Sequence, residues 1–275
     1  MGLLLVTVPN ISEGRDLECV ARVASSMSPH LLDVHSDRDH HRSVLTAAAS
    51  PEEIEEAVVS LARSCIDDID IRVHEGAHPR VGSLDVIPLV PRDREQYDAA
   101  VEVSLHLGRR LSALRLGVYR YDDQTRPLPS VRRSVRDGAP PDFGAFHPTA
   151  GSVCLGVRWP LVAFNVDLSP SAGRARAQAV AAEVRSDSIR ALAFVLPRQQ
   201  RLQVSMNLID PEHVGIESAW RRVTAAARLF AAGDPVGAEV VGLVPRAALI
   251  GLSDELAALT RAREKVLEDR LPVTR

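Results

Sequence analysis

The sequence predicts an α+β protein built from two ferredoxin-like subdomains of the βαββαβ type, with a ligand cleft between them. Three observations carry that prediction. Apolar runs of strand length alternate with helical segments along the chain. The second half reads β-α-β-β-α-β, and the first half reads the same with an extra helix and strand. The length, 275 residues, suits two small domains packed together. We place the subdomains at residues 1–160 and 161–275.

Taken in order, the run Leu3–Pro9 ends in Pro-Asn and reads as a buried strand followed by a loop. Arg15–Met27 places Leu17, Val20, Ala21, Val23 and Ala24 on one side of a helix. Leu31–Val34 and Ser43–Ala49 read as strands flanking a charged segment. Ser50, Pro51 and Glu53 form a helix start, with Ser as N-cap and Glu in a capping box, and the helix extends to about Cys65. Val86–Val90 is a strand, Asp93–Leu116 a long helix and Gly117–Tyr121 a further strand. Residues 122–150 hold Pro, Gly and Arg with little periodicity, and read as a long loop. Strands follow at Gly151–Val157 and Leu161–Leu168, then a helix over Ser171–Arg185. Ala191–Leu196 and Leu202–Leu208 are strands joined by a polar turn. Pro211–Ala231 reads as a helix, Glu239–Leu243 as a strand, and Pro245 onward as helix.

Composition narrows the function classes. The chain is 45% hydrophobic and 25% charged, ordinary for a globular protein. A net charge of -3 argues against a protein whose main task is neutralising nucleic-acid phosphates. Cys19, Cys65 and Cys154 are odd in number and carry no metal spacing, so a reduced cytoplasmic setting is expected. The N-terminal apolar run is too short for a membrane span and has no basic segment before it.

The densest chemistry lies in His74-Glu-Gly-Ala-His78-Pro-Arg-Val-Gly-Ser-Leu-Asp85. Pro79 disfavours the α region at His78, which should therefore be extended at a loop edge. A glycine-punctuated loop with His and Arg suits a site where His moves a proton and Arg holds an anion. The alternative is a solvated surface loop.

This stretch resembles the signature H-x-G-x-H-P-R-x-G-x-x-D of the glutamate formimidoyltransferase family, whose members include the transferase half of formiminotransferase–cyclodeaminases. Val8-Pro9-Asn10-Ile11-Ser12-Glu13-Gly14, Arg42-Ser43-Val44, Pro141-Asp142-Phe143-Gly144, Leu161–Leu168, Val204–Leu208 and Val241–Pro245 are similar to further family motifs in the same order. The resemblance spans nearly the whole chain. It implies a stand-alone transferase without the cyclodeaminase part.

The resemblance also implies the chemistry. A formimino group would pass from N-formimino-L-glutamate to N5 of tetrahydrofolate, in histidine degradation. His78 matches the family's general acid/base. His74, Arg80, His35, His41 and Arg42 are the implied substrate-binding residues; for Arg80 the alternative is a structural pair with Asp85 or Asp33. Gly144, Ala145, Phe146, His147, Pro148, Thr149, Ala150 and Gly151 match the folate-contacting loop, with Phe146 either offering a ring face to the pterin or packing in the core. Tetrahydrofolate would be a co-substrate; no metal and no nucleic-acid or membrane partner is expected. The resemblance implies a homodimer.

One segment departs from the family. His35 stands where the family has Asp, and His41 where it has Asn. If His35–His41 is extended, His35, Asp37, Asp39 and His41 share a face and could ligate Zn or Mn. The other readings are a solvated hairpin turn and an altered substrate pocket. The latter keeps open a folate-dependent transferase with a different formimino or formyl donor; a non-catalytic folate-binding protein is the remaining alternative.

Overall fold

The computed structural model describes residues 3–76, 80–196 and 198–272. The chain divides into two compact units, one reaching to Trp159 and one running from Pro160 to Leu271.

The first unit begins with a strand broken in two, β1 (Leu5–Thr7) and β2 (Asn10–Ile11). Pro9 sits at the break. Helix α1 (Leu17–Ser25) is capped by Asp16, whose side chain accepts from the Glu18 and Cys19 N–H groups. Strands β3 (Leu31–Asp37) and β4 (Arg42–Ala49) form a hairpin. Helix α2 (Pro51–Asp68) starts with the expected capping box between Ser50 and Glu53. Strand β5 (Leu84–Val90) is buried along its whole length. Helix α3 (Arg94–Ala113), strand β6 (Gly117–Asp122), helix α4 (Leu128–Arg136) and strand β7 (Ser152–Val157) complete the unit.

Both pieces of the broken strand lie between β4 and β5, all antiparallel. The order β3, β4, β1 with β2, then β5 is the ferredoxin-like arrangement. The sheet is extended at its β5 edge by parallel β7 and then β6. Leu45, Ile54, Leu61, Leu84, Ile87, Leu89, Leu107 and Leu111 fill the core beneath the helices. These are aliphatic side chains, as the scarcity of aromatics demands.

The second unit holds β8 (Val162–Leu168), α5 (Arg174–Glu183), β9 (Ile189–Leu196), β10 (Arg201–Leu208), α6 (Ile216–Leu229) and β11 (Gly237–Val241). Its antiparallel sheet runs β11-β8-β10-β9, again ferredoxin-like. Phe164, Val166, Val204, Met206 and Val240 face the core with the helices. Between them in sequence lies a polar row. Asn165 donates to Glu239 at 2.8 Å, and Asp167 accepts from Arg201 at 2.8 Å and from Gln203 at 3.2 Å. Alternation along the strands puts these residues on the opposite face.

Three sequence expectations need correction. The segment 122–150 is not a continuous loop: Leu128, Val131 and Val135 fall at helical spacing, and α4 packs Val131 into a small core with Val86, Tyr119, Tyr121 and Cys154. Helix α6 starts at Ile216, after turns over 211–214, and not at Pro211. The C-terminal region is not one helix. A 3-10 turn (Arg246–Leu249), α7 (Asp254–Thr260) and a second 3-10 turn (Ala262–Glu264) succeed one another, with Gly251 at φ 72 between the first two.

Candidate active site

The first unit gathers four loops at one end of its sheet: the turn after β2, the β3–β4 hairpin turn, the 71–83 segment and the 144–151 loop. Main-chain atoms supply most of the ties. Ser12 Oγ donates to the Gly82 carbonyl at 2.7 Å and Ser43 Oγ to the Glu13 carbonyl at 2.6 Å. The Ile71 N–H donates to the Thr149 carbonyl at 2.8 Å, and the Ser83 N–H to the Ala150 carbonyl at 2.8 Å. Gly82 has no room for a side chain, since a Cβ there would lie 2.0 Å from the Ser152 carbonyl oxygen.

The hairpin turn is where the structure corrects the extended reading of His35–His41. Strand β3 stops at Asp37, and residues 38–41 turn. His41 has φ 48, a left-handed conformation that Asn and His adopt more readily than most residues. The alternation needed to put His35, Asp37, Asp39 and His41 on one face is therefore lost. The turn is not solvated either: Asp37, Asp39 and His40 are buried, and Asp37 accepts from the His40 N–H at 2.7 Å. Among the described residues, no group of three or more His, Cys, Asp or Glu side chains is placed to hold a metal ion.

His41 instead joins a cluster the sequence does not reveal. Its Nε2 lies 3.1 Å from Glu13 Oε1 and its Nδ1 lies 3.0 Å from the Glu75 carbonyl. Both partners are acceptors, so the ring serves this corner as a donor. The same Glu13 oxygen accepts from the N–H groups of Gly14, Arg15 and Asp16. Burial disfavours the ionised Glu13 carboxyl, but the Arg15 and Asp16 N–H groups, His41 and the Gly14 N–H outweigh it and hold it below the usual carboxylate range. His74 stacks on His41, with ring centroids 4.4 Å apart and planes 13° from parallel. His74 Nε2 lies 2.8 Å from the His41 carbonyl.

Arg80 turns inward. It donates to Asp85 at 3.2 Å and to the His40 carbonyl at 3.2 Å, with its side chain only 4% exposed. Asp85 is fully buried and also accepts from Arg132 and from the Val81 N–H. Burial would raise the Asp85 carboxyl; the charges of Arg132 and Arg80, with the Val81 N–H, outweigh it and keep it below the usual range. Arg132 comes from α4, so the segment read as a loop supplies a cation under the signature stretch.

His35 is on β3 opposite Val44, and Arg42 opens β4, its backbone against Gly14. His78 lies outside the described residues. The flanking Gly76 and Arg80 are both placed against the hairpin turn, at the His40 carbonyl.

In the 144–151 loop, His147 and Gly151 exchange backbone hydrogen bonds at 2.8 and 3.0 Å. His147 Nδ1 accepts from the Ala150 N–H at 3.0 Å, closing the loop on itself. Gly144 and Gly151 both have positive φ, 70 and 74. Phe146 is 65% exposed, so it is not a core residue. Ala150 is: it is fully buried in the main core.

Comparison with known proteins agrees over both units. Residues 4–158 match the formiminotransferase domain, N-terminal subdomain, and residues 163–268 match the formiminotransferase domain. A glutamate formimidoyltransferase of Streptococcus pyogenes serotype M1 is 32% identical, over 92% of this chain and 93% of its own. One from Thermoplasma acidophilum is 33% identical, over 91% of each chain. The formimidoyltransferase-cyclodeaminase of Sus scrofa is 31% identical over 91% of this chain, which spans 52% of that longer protein. The chain belongs to the formiminotransferase family.

Proposed function

We propose that the protein transfers the formimino group of N-formimino-L-glutamate to N5 of tetrahydrofolate, with His78 as general acid/base. The observation that carries this reading is the family match across both units, to relatives named glutamate formimidoyltransferase. The pathway served would be histidine degradation.

In that reaction N5 attacks the amidine carbon and forms a tetrahedral intermediate. Collapse expels the amine of glutamate, leaving N5 bonded to CH=NH. One base can take the N5 proton and return it to the departing amine, a role that suits an imidazole working near neutral pH. His78 is flanked by residues anchored at the hairpin turn, which favours giving it that role. His74 and His41 would contact the donor from the same corner, with His35 and Arg42 on the strands leading in and out of the turn. Arg80 would act by holding the loop, since its guanidinium already serves Asp85.

The folate would lie along Gly144, Ala145, Phe146, His147, Pro148 and Thr149. The exposed Phe146 ring offers a face for the pterin, and the glycines allow close backbone approach. No described helix is long and apolar enough to cross a membrane. A cytoplasmic homodimer acting on small molecules fits the family.

The test mixes purified protein with tetrahydrofolate and N-formimino-L-glutamate, then acidifies to read the 5,10-methenyl chromophore. Signal is expected, with a loss of at least about 100-fold in His78→Ala. Tetrahydrofolate binding without turnover would support a different donor, the reading that His41 at the turn favours. The absence of both binding and turnover overturns the folate reading.

A further inference from the structure

Only one hydrogen-bonding polarity fits the His41–His74 pair. The partner of His74 Nε2 is a carbonyl oxygen, which can only accept, so Nε2 carries the proton. In the neutral ring Nδ1 is then bare. Burial pushes His74 below the usual imidazole range, and His41, Arg80 and Arg15 push the same way against the hydrogen bond to the His41 carbonyl. His74 Nδ1 makes no hydrogen bond among the described residues, and it is not among the polar atoms sealed off from solvent. His41 does the orienting twice, through its carbonyl and through its ring face. It is itself fixed by Glu13 and by the Glu75 carbonyl.

We propose that His41 is a positioning residue that holds His74 as an Nε2-protonated imidazole, whose bare Nδ1 accepts an N–H of an amidine donor. The identity of that donor rests on the transferase reading; the state of His74 does not. The contact is a hydrogen bond and moves no proton. Among the described residues, the charged and titratable groups acting on His74 are Arg15 from the turn before α1, His41 from the hairpin and Arg80 from its own segment, with Glu13 hydrogen-bonded to the His41 ring. An N–H of the donor entering here meets an acceptor nitrogen on His74.

Nitrogen-15 NMR of histidine-labelled full-length protein reads the tautomer directly. At pH 7.5 His74 is expected as the Nε2–H form, and its Nδ1 resonance should move when formamidinium chloride is added. His74→Gln keeps a donor for the His41 carbonyl and deletes Nδ1. It should fold normally, leave KM for tetrahydrofolate unchanged and lower kcat/KM for the donor by about 10- to 100-fold, the scale of a hydrogen bond to a charged group. His41→Asn keeps the carbonyl but removes the stacked ring. The His74 titration midpoint should rise, and the acid limb of kcat should rise with it. An Nδ1–H tautomer, an Nδ1 that ignores formamidinium, or a His74→Gln variant with unchanged kcat/KM overturns the proposal. If wild-type protein turns over no formiminoglutamate, that donor is ruled out, and the tautomer and formamidinium titrations still decide this proposal.

Discussion

Arg132 donates to Asp85 at 2.5 Å, although 47 residues separate them and Asp85 is fully buried. The pair joins α4 to the strand that follows the signature stretch. Asp85→Asn leaves Arg80 and Arg132 without their counter-charge. It should cost about 3–5 kcal/mol in urea unfolding, the scale of breaking a buried ion pair from one side. Arg132→Met should cost less, because Arg80 still serves the carboxylate.

The same carboxylate sets an acid limit. Its folded pKa is depressed, so the stability it contributes is present above its unfolded value, near 3.9, and is lost as pH falls through the folded value. Melting temperature measured between pH 7 and pH 2 should hold until about pH 4 and then drop. In Asp85→Asn that part of the drop should be missing.

Gly82→Ala should destabilise by about 2–3 kcal/mol, because the added methyl meets backbone oxygens that cannot move independently. Gly138 offers the control. It has φ 83 and open space around it, so Gly138→Ala should cost only about 1 kcal/mol from backbone strain. Chemical denaturation of the two variants side by side checks the difference.

Phe146→Ala should leave the melting temperature within about 1 °C of wild type, since the ring covers no core. KM for tetrahydrofolate should rise about 10-fold, as expected for losing one aromatic contact. Phe146→Trp should restore it. An unchanged KM in Phe146→Ala would remove the ring from the folate site.

The three thiols should be silent in the native protein. Cys65 and Cys154 are fully buried, and burial pushes Cys154 up to about 12 and Cys65 higher still. Cys19 is 4% exposed and also raised, by burial first and then by Glu13 and Asp68. Ellman's reagent should find no fast-reacting thiol before unfolding and three after it.

Much of the fold was legible because each element carried its own local signal. The Ser50–Glu53 box marks the start of α2, and alternation across β8 and β10 separates Phe164 and Val204 from Asn165 and Gln203. Helix α4 was hidden because Arg132, Arg133 and Arg136 equal its three apolar anchors in number. The candidate site was legible as a set of residue types but not as a set of partners. Nothing near His41 in sequence points to Glu13, 28 residues away, and nothing near Asp85 points to Arg132. A hairpin turn over His35–His41 was among the sequence readings; its left-handed residue at His41 and the burial of Asp37, Asp39 and His40 were not legible, because a run of polar residues looks the same whether it is solvated or covered.

The loops of the first unit are laced together by carbonyls, amides and two serine hydroxyls, and the rings and guanidinium groups rest on that lacing. Exchanging His41 leaves those main-chain and serine ties intact and removes only its own contacts to Glu13 and the Glu75 carbonyl. Donor preference can therefore drift through single side chains while the scaffold keeps its shape, and an investigator wishing to retune the enzyme should start at the hairpin turn and leave the glycines alone.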